Sequence, residues 1–375
     1  MKIKALTSLR FFAALGVFMT HYSQLYLNSQ NNIIKTLSPI FSEGYIWVGF
    51  FFILSGFIIS YSQDKKTAAD SVSVYIKKRF ARIYPIHILV FIFFILYFYN
   101  SLPDMNQRSP LINIFLLQSW VPETNAFWGY NAVSWSLSVE VFFYVAFLPL
   151  AMLNDKYLIY LLTILLSILL ASHLHQFDTR DKMVWFYYIN PASRLVDFVT
   201  GMLLYRLYKR NEKIKKLIQK NGTAYELLSI IIMCVFLYGA IRWQFDKSWR
   251  YDVYYILPMS FIIFVFSFHS GKLSKTLSHR PLVFLGEISF CLYVTHQLTI
   301  SILYSKIEPL LKITEFSKYC TLLIPFLFFS ILISAILHLT YEKPIANLIN
   351  RTDTTPSLIN SISNAIFKFR RKEKS

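Results

Sequence analysis

Two polar residues, Arg10 and His21, lie eleven residues apart in the apolar segment LRFFAALGVFMTHYSQLYL near the start of the chain. On an α-helix, eleven steps of about 100° bring the second side chain to within roughly 20° of the first, about 16 Å further along the axis. A guanidinium and an imidazole on one stripe of a membrane helix are costly and usually functional. A neutral imidazole can accept a proton or an acyl group near neutral pH. The pair therefore predicts chemistry inside a membrane, with a purely structural pair as the alternative.

A second group of cations lies in the segment KKRFARIYP, where Arg79 and Arg82 are three residues apart and follow Lys78. Three residues place the two guanidinium groups on one helix face, and such planar forks suit phosphates. The group predicts a site for an anionic carrier such as coenzyme A. The alternative is an anchor of positive charge at the membrane surface.

One carboxylate, Glu140, interrupts the apolar segment VSWSLSVEVFFY, with Ser136 one turn earlier on the same face. A buried carboxylate must be paired, hydrogen-bonded or neutral. Glu140 is therefore a candidate to orient a histidine, pair with an arginine or accept a proton, and a structural bond between helices is the alternative.

For two further pairs of polar residues, a structural role is the favoured interpretation. Arg194 and Asp197 are three residues apart and can neutralise each other across one helical turn. Tyr293 and His296 also share a helix face, and a lone histidine in such a run is more often a satisfied partner of another helix than a catalyst. The three cysteines show no CxxC spacing, so we predict no metal site.

Composition predicts a polytopic, all-α membrane protein. The 375 residues are 55% hydrophobic and only 15% charged, against about 25% charged in soluble domains. Apolar runs near 20 residues recur along the chain, which is typical of membrane helices. The net charge is +18, and the basic residues lie between these runs, as the positive-inside rule predicts. We therefore expect the protein to have a lipid bilayer, and no nucleic acid, as its partner.

The apolar runs predict about ten spans. Lys and Arg are concentrated in alternate loops, so the N-terminus and the C-terminus are both expected in the cytoplasm. We predict a membrane domain over residues 1–350 and a basic cytoplasmic tail over 351–375. The outer stretch 101–132 contains NIFLLQSW, which is expected either at the interface or folded back into the protein. The predicted spans are 9–28, 44–62, 83–100, 133–153, 157–175, 191–208, 224–242, 253–269, 283–303 and 319–341.

An ordered set of motifs resembles the acyltransferase-3 family of bacterial membrane O-acyltransferases, over about residues 5–346. The set includes the R-x10-H pair of Arg10 and His21 and the R-x-x-R pair of Arg79 and Arg82. It also includes His296, which lies downstream of an L-G-x-I-S-F element. The other elements are F-x-L-S-G-F at Phe52–Phe57, W-S-L-S-V-E at Trp135–Glu140, L-G-x-I-S-F from Leu285 and Tyr341-Glu342-Lys343-Pro344.

The resemblance implies ten spans in the bacterial cytoplasmic (inner) membrane, acetyl-CoA as cytoplasmic donor and a carbohydrate hydroxyl as acceptor. It implies catalysis by Arg10 and His21 and donor handling by Arg79 and Arg82. Many relatives carry an appended extracytoplasmic domain, which we do not expect here. The acceptor is then expected to reach the membrane site directly or with the help of polysaccharide-assembly proteins.

The resulting hypothesis gives His21 the role of base or acyl acceptor. Arg10 neutralises the carrier or steadies oxyanion charge, and Glu140 fixes the tautomer of His21 where their helices touch. Ser136, Arg194, Tyr293 and His296 are expected to support the substrate or the structure. The alternatives are a proton-coupled secondary transporter, a different family of membrane acyltransferases and a non-catalytic polysaccharide-assembly protein.

Overall fold

The fold is helical throughout the part of the chain that the computed structural model describes, residues 3–64, 72–98, 110–311 and 313–351. These residues contain no β-strand. Ten helices correspond to the ten predicted spans and are labelled in chain order: α1 Lys4–Gln24, α2 Tyr45–Asp64, α3 Val72–Phe98, α4 Trp135–Leu150, α5 Asp155–Ser172, α6 Pro191–Arg210, α7 Gly222–Arg242, α8 Ile256–Ser267, α9 Arg280–Ile307 and α10 Glu315–Leu337.

Shorter helices connect and extend these ten. The short α-helices are Asn32–Phe41, Pro110–Ile114, Thr124–Phe127, Arg180–Val184, Glu212–Lys220, Lys247–Tyr251, Lys272–Leu277 and Lys343–Arg351; the 3₁₀ turns are Gln118–Trp120, Ala132–Ser134 and Glu308–Leu310; the π-helical turns are Trp185–Ile189 and His338–Glu342. The predicted tail 351–375 lies outside the described residues except for the backbone of residue 351.

The number of membrane spans that length and hydropathy identify is smaller than the number of long helices. In the described ranges, seven helical segments are long and apolar enough to cross a membrane, and α1, α6 and α8 are not among them. The chain is therefore an all-helical, multi-pass membrane protein, whereas ten spans and two cytoplasmic termini remain predictions. Arg10 and His21 lower the hydropathy of α1, and α8 has only 12 residues.

Side-chain caps determine where several of these helices begin. The Asn190 side chain accepts hydrogen bonds from the amides of Ala192 and Ser193 at the start of α6, and Pro191 occupies the first turn, where its missing N–H leaves nothing unpaired. Asn154 caps α5 by accepting from the amide of Tyr157. The predicted and observed starts of these two helices agree to within two residues because the signals are local.

Glycines allow two helix pairs to approach backbone to backbone. A Cβ atom on Gly201 of α6 would lie 2.0 Å from the carbonyl oxygen of Ile53 on α2. A Cβ on Gly286 of α9 would lie 2.0 Å from the carbonyl oxygen of Thr7 on α1. Any side chain at Gly286 would push α9 away from α1, so this contact sets how closely the two helices pack.

The segment with the sequence NIFLLQSW folds back into the protein. Asn113, Gln118 and Ser119 within it are completely buried. The Ser119 hydroxyl donates to the carbonyl oxygen of Trp135 at 2.6 Å. Further along, the Asn131 side chain donates to the carbonyl oxygen of Val294 on α9 at 2.9 Å. The segment therefore supports α4 and α9 from the side of the bundle where α1 ends.

Candidate active site

A cavity of about 530 Å³ opens among α1, α2, α3, α4, α9 and the end of the chain's last long helix. That volume is within the range of about 300–1,000 Å³ found for small-molecule sites. Six residues that the sequence singled out line it: Arg10, Arg79, Arg82, Ser136, Glu140 and Tyr293. Residues that are far apart in the sequence therefore share one cavity, on the side of the bundle predicted to face the cytoplasm.

Two guanidinium groups in this cavity, those of Arg10 and Arg82, lack a direct hydrogen bond or ion pair with any described residue. Their electrostatic neighbours are each other and the carboxylates Glu140 and Glu342. The Tyr144 hydroxyl donates to Glu140 Oε2 at 3.3 Å. Two cations balanced by two carboxylates across an open space leave donor hydrogens free to meet an anionic ligand.

Arg79 is held at the wall of the same cavity by aromatic rings. Its guanidinium lies 5.4 Å from the ring centre of Tyr75 and 5.6 Å from that of Tyr144, within the range of cation–π attraction. It also donates to the Ser62 hydroxyl at 3.2 Å. Lys78, predicted as a third member of the donor site, is exposed and does not line the cavity.

His21 lies at the other end of α1 and contacts His296 on α9. The Nδ1 atom of His21 is 3.0 Å from Nε2 of His296, and the ring centres are 4.9 Å apart. His296 is completely buried, whereas His21 is only partly buried. The His21 ring therefore faces a second imidazole within the protein and retains some accessibility.

The hydrogen bonds of the pair assign its tautomers. His296 Nδ1 is 2.7 Å from the carbonyl oxygen of Tyr293, so this nitrogen carries the hydrogen and Nε2 accepts. His21 Nδ1 must then donate, which agrees with its distance of 3.1 Å from the carbonyl oxygen of Val17. The lone pair of neutral His21 is left on Nε2, where it can accept a proton or an acyl group.

The contact with Glu140 on which the predicted orientation of His21 depended is not formed among the described residues; the side-chain partner of His21 is His296. Glu140 lies in the cavity with Arg10, and the residue that fixes the tautomer of His21 is His296. Because α1 is one continuous helix, Arg10 lies about 16 Å from His21 along the axis. At that distance the arginine cannot contact an oxyanion formed at the imidazole, and it lies instead in the cavity with Arg79 and Arg82.

A cluster of three potential ligand atoms borders the cavity, although the sequence predicted no metal site. The ligand atoms of Cys291, His338 and Glu342 lie within 4.8 Å of one another. The Cys291 thiol donates to Glu342 at 3.1 Å, and His338 Nδ1 donates to the same oxygen at 2.7 Å. The hydrogen bonds satisfy all three groups and hold the Glu342 carboxylate beside Arg10 and Arg82.

Arg194 is placed away from this site. Its guanidinium is 2.6 Å from the carboxylate of Asp197, and both side chains are almost completely buried. The ion pair agrees with the spacing argument from the sequence. Arg194 therefore supports the packing of α6, and it does not line the cavity.

A network of charged and aromatic groups lies on the same side of the bundle as His21. Glu43 pairs with Arg250 and accepts from the Tyr255 hydroxyl at 3.0 Å. His173 Nε2 is 3.2 Å from Asp252. Burial raises the pKa of Asp252 above its usual range, and the neighbouring His173 opposes that shift. These groups are paired with one another, so they brace the loops at this end.

Sequence reasoning missed Glu342, His338 and the partnership of His296 with His21. The signal for Glu342 was present, since it stands in the Tyr341-Glu342-Lys343-Pro344 motif after a long apolar run. The signal for the histidine pair was weaker, because a single chain does not show that α1 and α9 touch.

Comparison with known proteins agrees with the motif resemblance. The family described as "Acyltransferase domain" matches residues 3–338. Acyltransferase MdmB from Streptomyces mycarofaciens is 37% identical over 151 residues, which cover 39% of this chain and 38% of that protein. O-acetyltransferase OatA from Staphylococcus aureus is 25% identical over 318 residues, covering 78% of this chain and 50% of that protein.

A third relative aligns over most of its own length. It is a putative acetyltransferase, ORF330, of the Acidianus two-tailed virus, 27% identical over 300 residues, with 78% of this chain and 82% of the viral protein covered. By contrast, the matched regions span half or less of MdmB and OatA. No solved structure matches the chain.

Proposed function

This chain belongs to the acyltransferase domain family, and on that premise we propose that it transfers an acetyl or other acyl group from acyl-CoA to a carbohydrate hydroxyl. The donor enters the cavity from the cytoplasm, and the acceptor is extracytoplasmic or lipid-linked. Family membership favours this enzymatic function over a transporter or a non-catalytic assembly protein. The names of two relatives, O-acetyltransferase OatA and acyltransferase MdmB, support acyl transfer as the reaction class.

The separation of Arg10 from His21 supports a CoA thioester as the donor. Anionic groups of a donor would bind Arg10, Arg79 and Arg82 in the cavity, since guanidinium groups form strong charge-assisted hydrogen bonds with phosphates. The reactive end would have to reach an imidazole about 16 Å further along α1. A carrier with phosphates at one end and a thioester on a long flexible arm at the other has this shape.

The single observation that carries the proposed chemistry is the 3.0 Å contact between His21 Nδ1 and His296 Nε2, which assigns the free lone pair of His21 to Nε2. In the proposed step, this nitrogen takes the proton of the acceptor hydroxyl, whose oxygen attacks the thioester carbonyl carbon. The C–S bond breaks, and CoA leaves as a thiol after receiving the proton. His296 accepts the Nδ1 hydrogen of His21 throughout, so it fixes the ring and stabilises the imidazolium that forms, as the orienting group of a catalytic triad does.

The location of His21 supports an acceptor on the opposite side from the donor. His21 lies in the last turn of α1, and if the N-terminus is cytoplasmic, that turn lies towards the outer face of a bacterial cytoplasmic membrane. His21 is partly exposed, which permits a hydroxyl to approach. Partners that deliver the polysaccharide or lipid-linked acceptor belong to the same proposal.

The test uses the full chain in lipid nanodiscs with radiolabelled acetyl-CoA and a panel of carbohydrate acceptors analysed by mass spectrometry. We expect His21→Ala to lower acetyl transfer by about 10²–10⁴-fold, the usual contribution of a general base. His279→Ala, a change at an exposed histidine, is the matched control and should retain full activity. Transfer by a well-expressed His21→Ala protein at the wild-type rate would exclude the catalytic assignment.

A further inference from the structure

Tyr293 lines the cavity, and its ring also lies beside that of His296. Its hydroxyl lies 2.7 Å from the Ser136 hydroxyl and 3.4 Å from the carbonyl oxygen of Val133, and both Tyr293 and Ser136 are buried. The Ser136 hydroxyl also donates to Val133 at 3.0 Å. Because the hydrogen of the Ser136 hydroxyl is used in that bond, the Ser136 oxygen accepts the hydrogen of the Tyr293 hydroxyl. The Tyr293 ring is thus fixed across the cavity by one hydrogen bond between side chains.

The histidine pair lies directly beyond this ring. His296 follows Tyr293 by one helical turn on α9, and their ring centres are 6.1 Å apart. Among the described residues that line the cavity, neither His21 nor His296 is present. The donor groups and the imidazole that acts as the base are therefore separated, and Tyr293 lines the cavity on one side and contacts His296 on the other.

Packing closes the other route along α1. A Cβ on Gly16, which lies midway between Arg10 and His21, would meet the Trp47 indole at 2.2 Å, so the indole fills this position against the helix backbone. Phe51 packs against Tyr293 with a ring-centre distance of 5.8 Å. Trp47 is packed against a helix backbone, whereas Tyr293 is held by its hydroxyl. Tyr293 is therefore the side chain that can move, once its hydroxyl leaves Ser136 and Val133.

We propose that Tyr293 and Ser136 form a hydroxyl latch between the donor cavity and the His21–His296 pair, and that acyl transfer requires the latch to open. This inference rests on the proposed function. When the latch opens, the Tyr293 hydroxyl leaves Ser136, and the side chain moves out of the path between the cavity and the histidine pair.

Tyr293 is a positioning residue in this scheme, because it also acts through the backbone. Its carbonyl oxygen accepts the Nδ1 hydrogen of His296, which sets the tautomer of the pair. Movement of the side chain leaves that backbone bond intact. The latch therefore controls when the acyl group reaches His21 without disturbing the orientation of the imidazole.

The test measures two rates in the same preparation: hydrolysis of acetyl-CoA without an acceptor, and acetyl transfer with one. In the hydrolysis, water replaces the acceptor alcohol, the C–S bond breaks and CoA is released as the thiol. Tyr293→Phe keeps the ring and removes the hydroxyl, and Ser136→Ala removes its partner. We expect both variants to raise acceptor-independent hydrolysis about two- to tenfold, as loss of one hydrogen bond predicts, with an unchanged donor KM.

The control is Tyr254→Phe, which removes a hydroxyl that donates to the carbonyl oxygen of Phe236 at 2.9 Å far from the cavity; it should change neither rate. A fall in both rates for Tyr293→Phe would overturn the latch and make the hydroxyl part of the chemistry. Unchanged hydrolysis in both variants, with normal thermal stability, would also overturn it. If the wild-type protein turns over no acetyl-CoA, the proposed function itself fails, and that result is distinct from either outcome.

Discussion

Two regions of the protein handle their arginines in opposite ways. Arg194 is 1% exposed and contacts the carboxylate of Asp197, so its charge is paired with an opposite charge within the fold. Arg10 and Arg82 face a cavity, and neither forms a direct ion pair with a described residue, although Glu140 and Glu342 lie within electrostatic range. A charge that the fold leaves without a direct partner is one that a ligand can use. The contrast separates an arginine that supports the structure from arginines that we propose bind the donor.

The largest effect should follow from breaking the satisfied pair. Arg194→Met leaves the Asp197 carboxylate buried without a counter-charge, and such changes cost about 3–5 kcal/mol of unfolding free energy. The double variant Arg194→Met with Asp197→Leu should recover most of the loss, because it removes both charges. Thermal unfolding in detergent measures both. A single variant as stable as the wild type would show that this pair is not the support that its burial indicates.

The opposite behaviour is expected in the cavity. Arg10→Met or Arg82→Met should weaken acetyl-CoA binding by about 10- to 150-fold, since a hydrogen bond to a charged group contributes about 1.5–3 kcal/mol. Stability without ligand should fall much less than in Arg194→Met, because neither guanidinium group has a direct ion pair to lose, although both are attracted to Glu140 and Glu342. Titration calorimetry and thermal unfolding in nanodiscs give the two quantities.

The control for the cavity variants is Arg242→Met, which alters an exposed arginine at the end of α7 and should affect neither binding nor stability. If Arg10→Met lowers stability as much as Arg194→Met and leaves donor binding unchanged, the distinction between the two regions is wrong.

Spacing along the sequence predicted the ion pair of Arg194 and Asp197, but it could not predict which distant residues meet around the cavity and His21. Arg194 and Asp197 are three residues apart, so helix geometry alone brings them together. The shared face of Arg10 and His21 follows in the same way, and helices formed at all ten predicted positions because apolar runs and caps are local signals. His21 and His296, by contrast, are 275 positions apart. Their contact depends on which helices pack together, and hydropathy carries no information about that choice.

The same limit applies to the partner expected for His21. Glu140 was a reasonable candidate from its residue type, since carboxylates often orient histidines. Close packing at Gly286 brings α9 against α1 and places His296 there instead. Glu342 reaches the cavity through the end of the chain's last long helix, and its position beside Arg10 likewise depends on a contact between distant segments.

The smallest effect should come from Cys291 at the margin of the cavity. Its thiol donates to Glu342, but a thiol is a weak donor, and His338 donates to the same carboxylate oxygen. We therefore expect Cys291→Ala to change stability by about 1 kcal/mol or less and to lower donor affinity less than either arginine variant. Cys291→Ser, whose hydroxyl can donate in the same place, should match the wild type in both measurements.

The Cys291→Ser variant distinguishes a hydrogen-bonding role of the thiol from a metal site and from a reaction of the thiol itself. Loss of activity in Cys291→Ser, reproduced in the wild type by a chelator, would mean that Cys291, His338 and Glu342 bind a metal ion and that their hydrogen bonds are not the functional arrangement. Loss without chelator sensitivity would point to a reaction of the thiol itself. Retained activity in both variants would leave Glu342 acting through its charge, as the counter-ion that balances Arg10 and Arg82 until a donor phosphate takes its place.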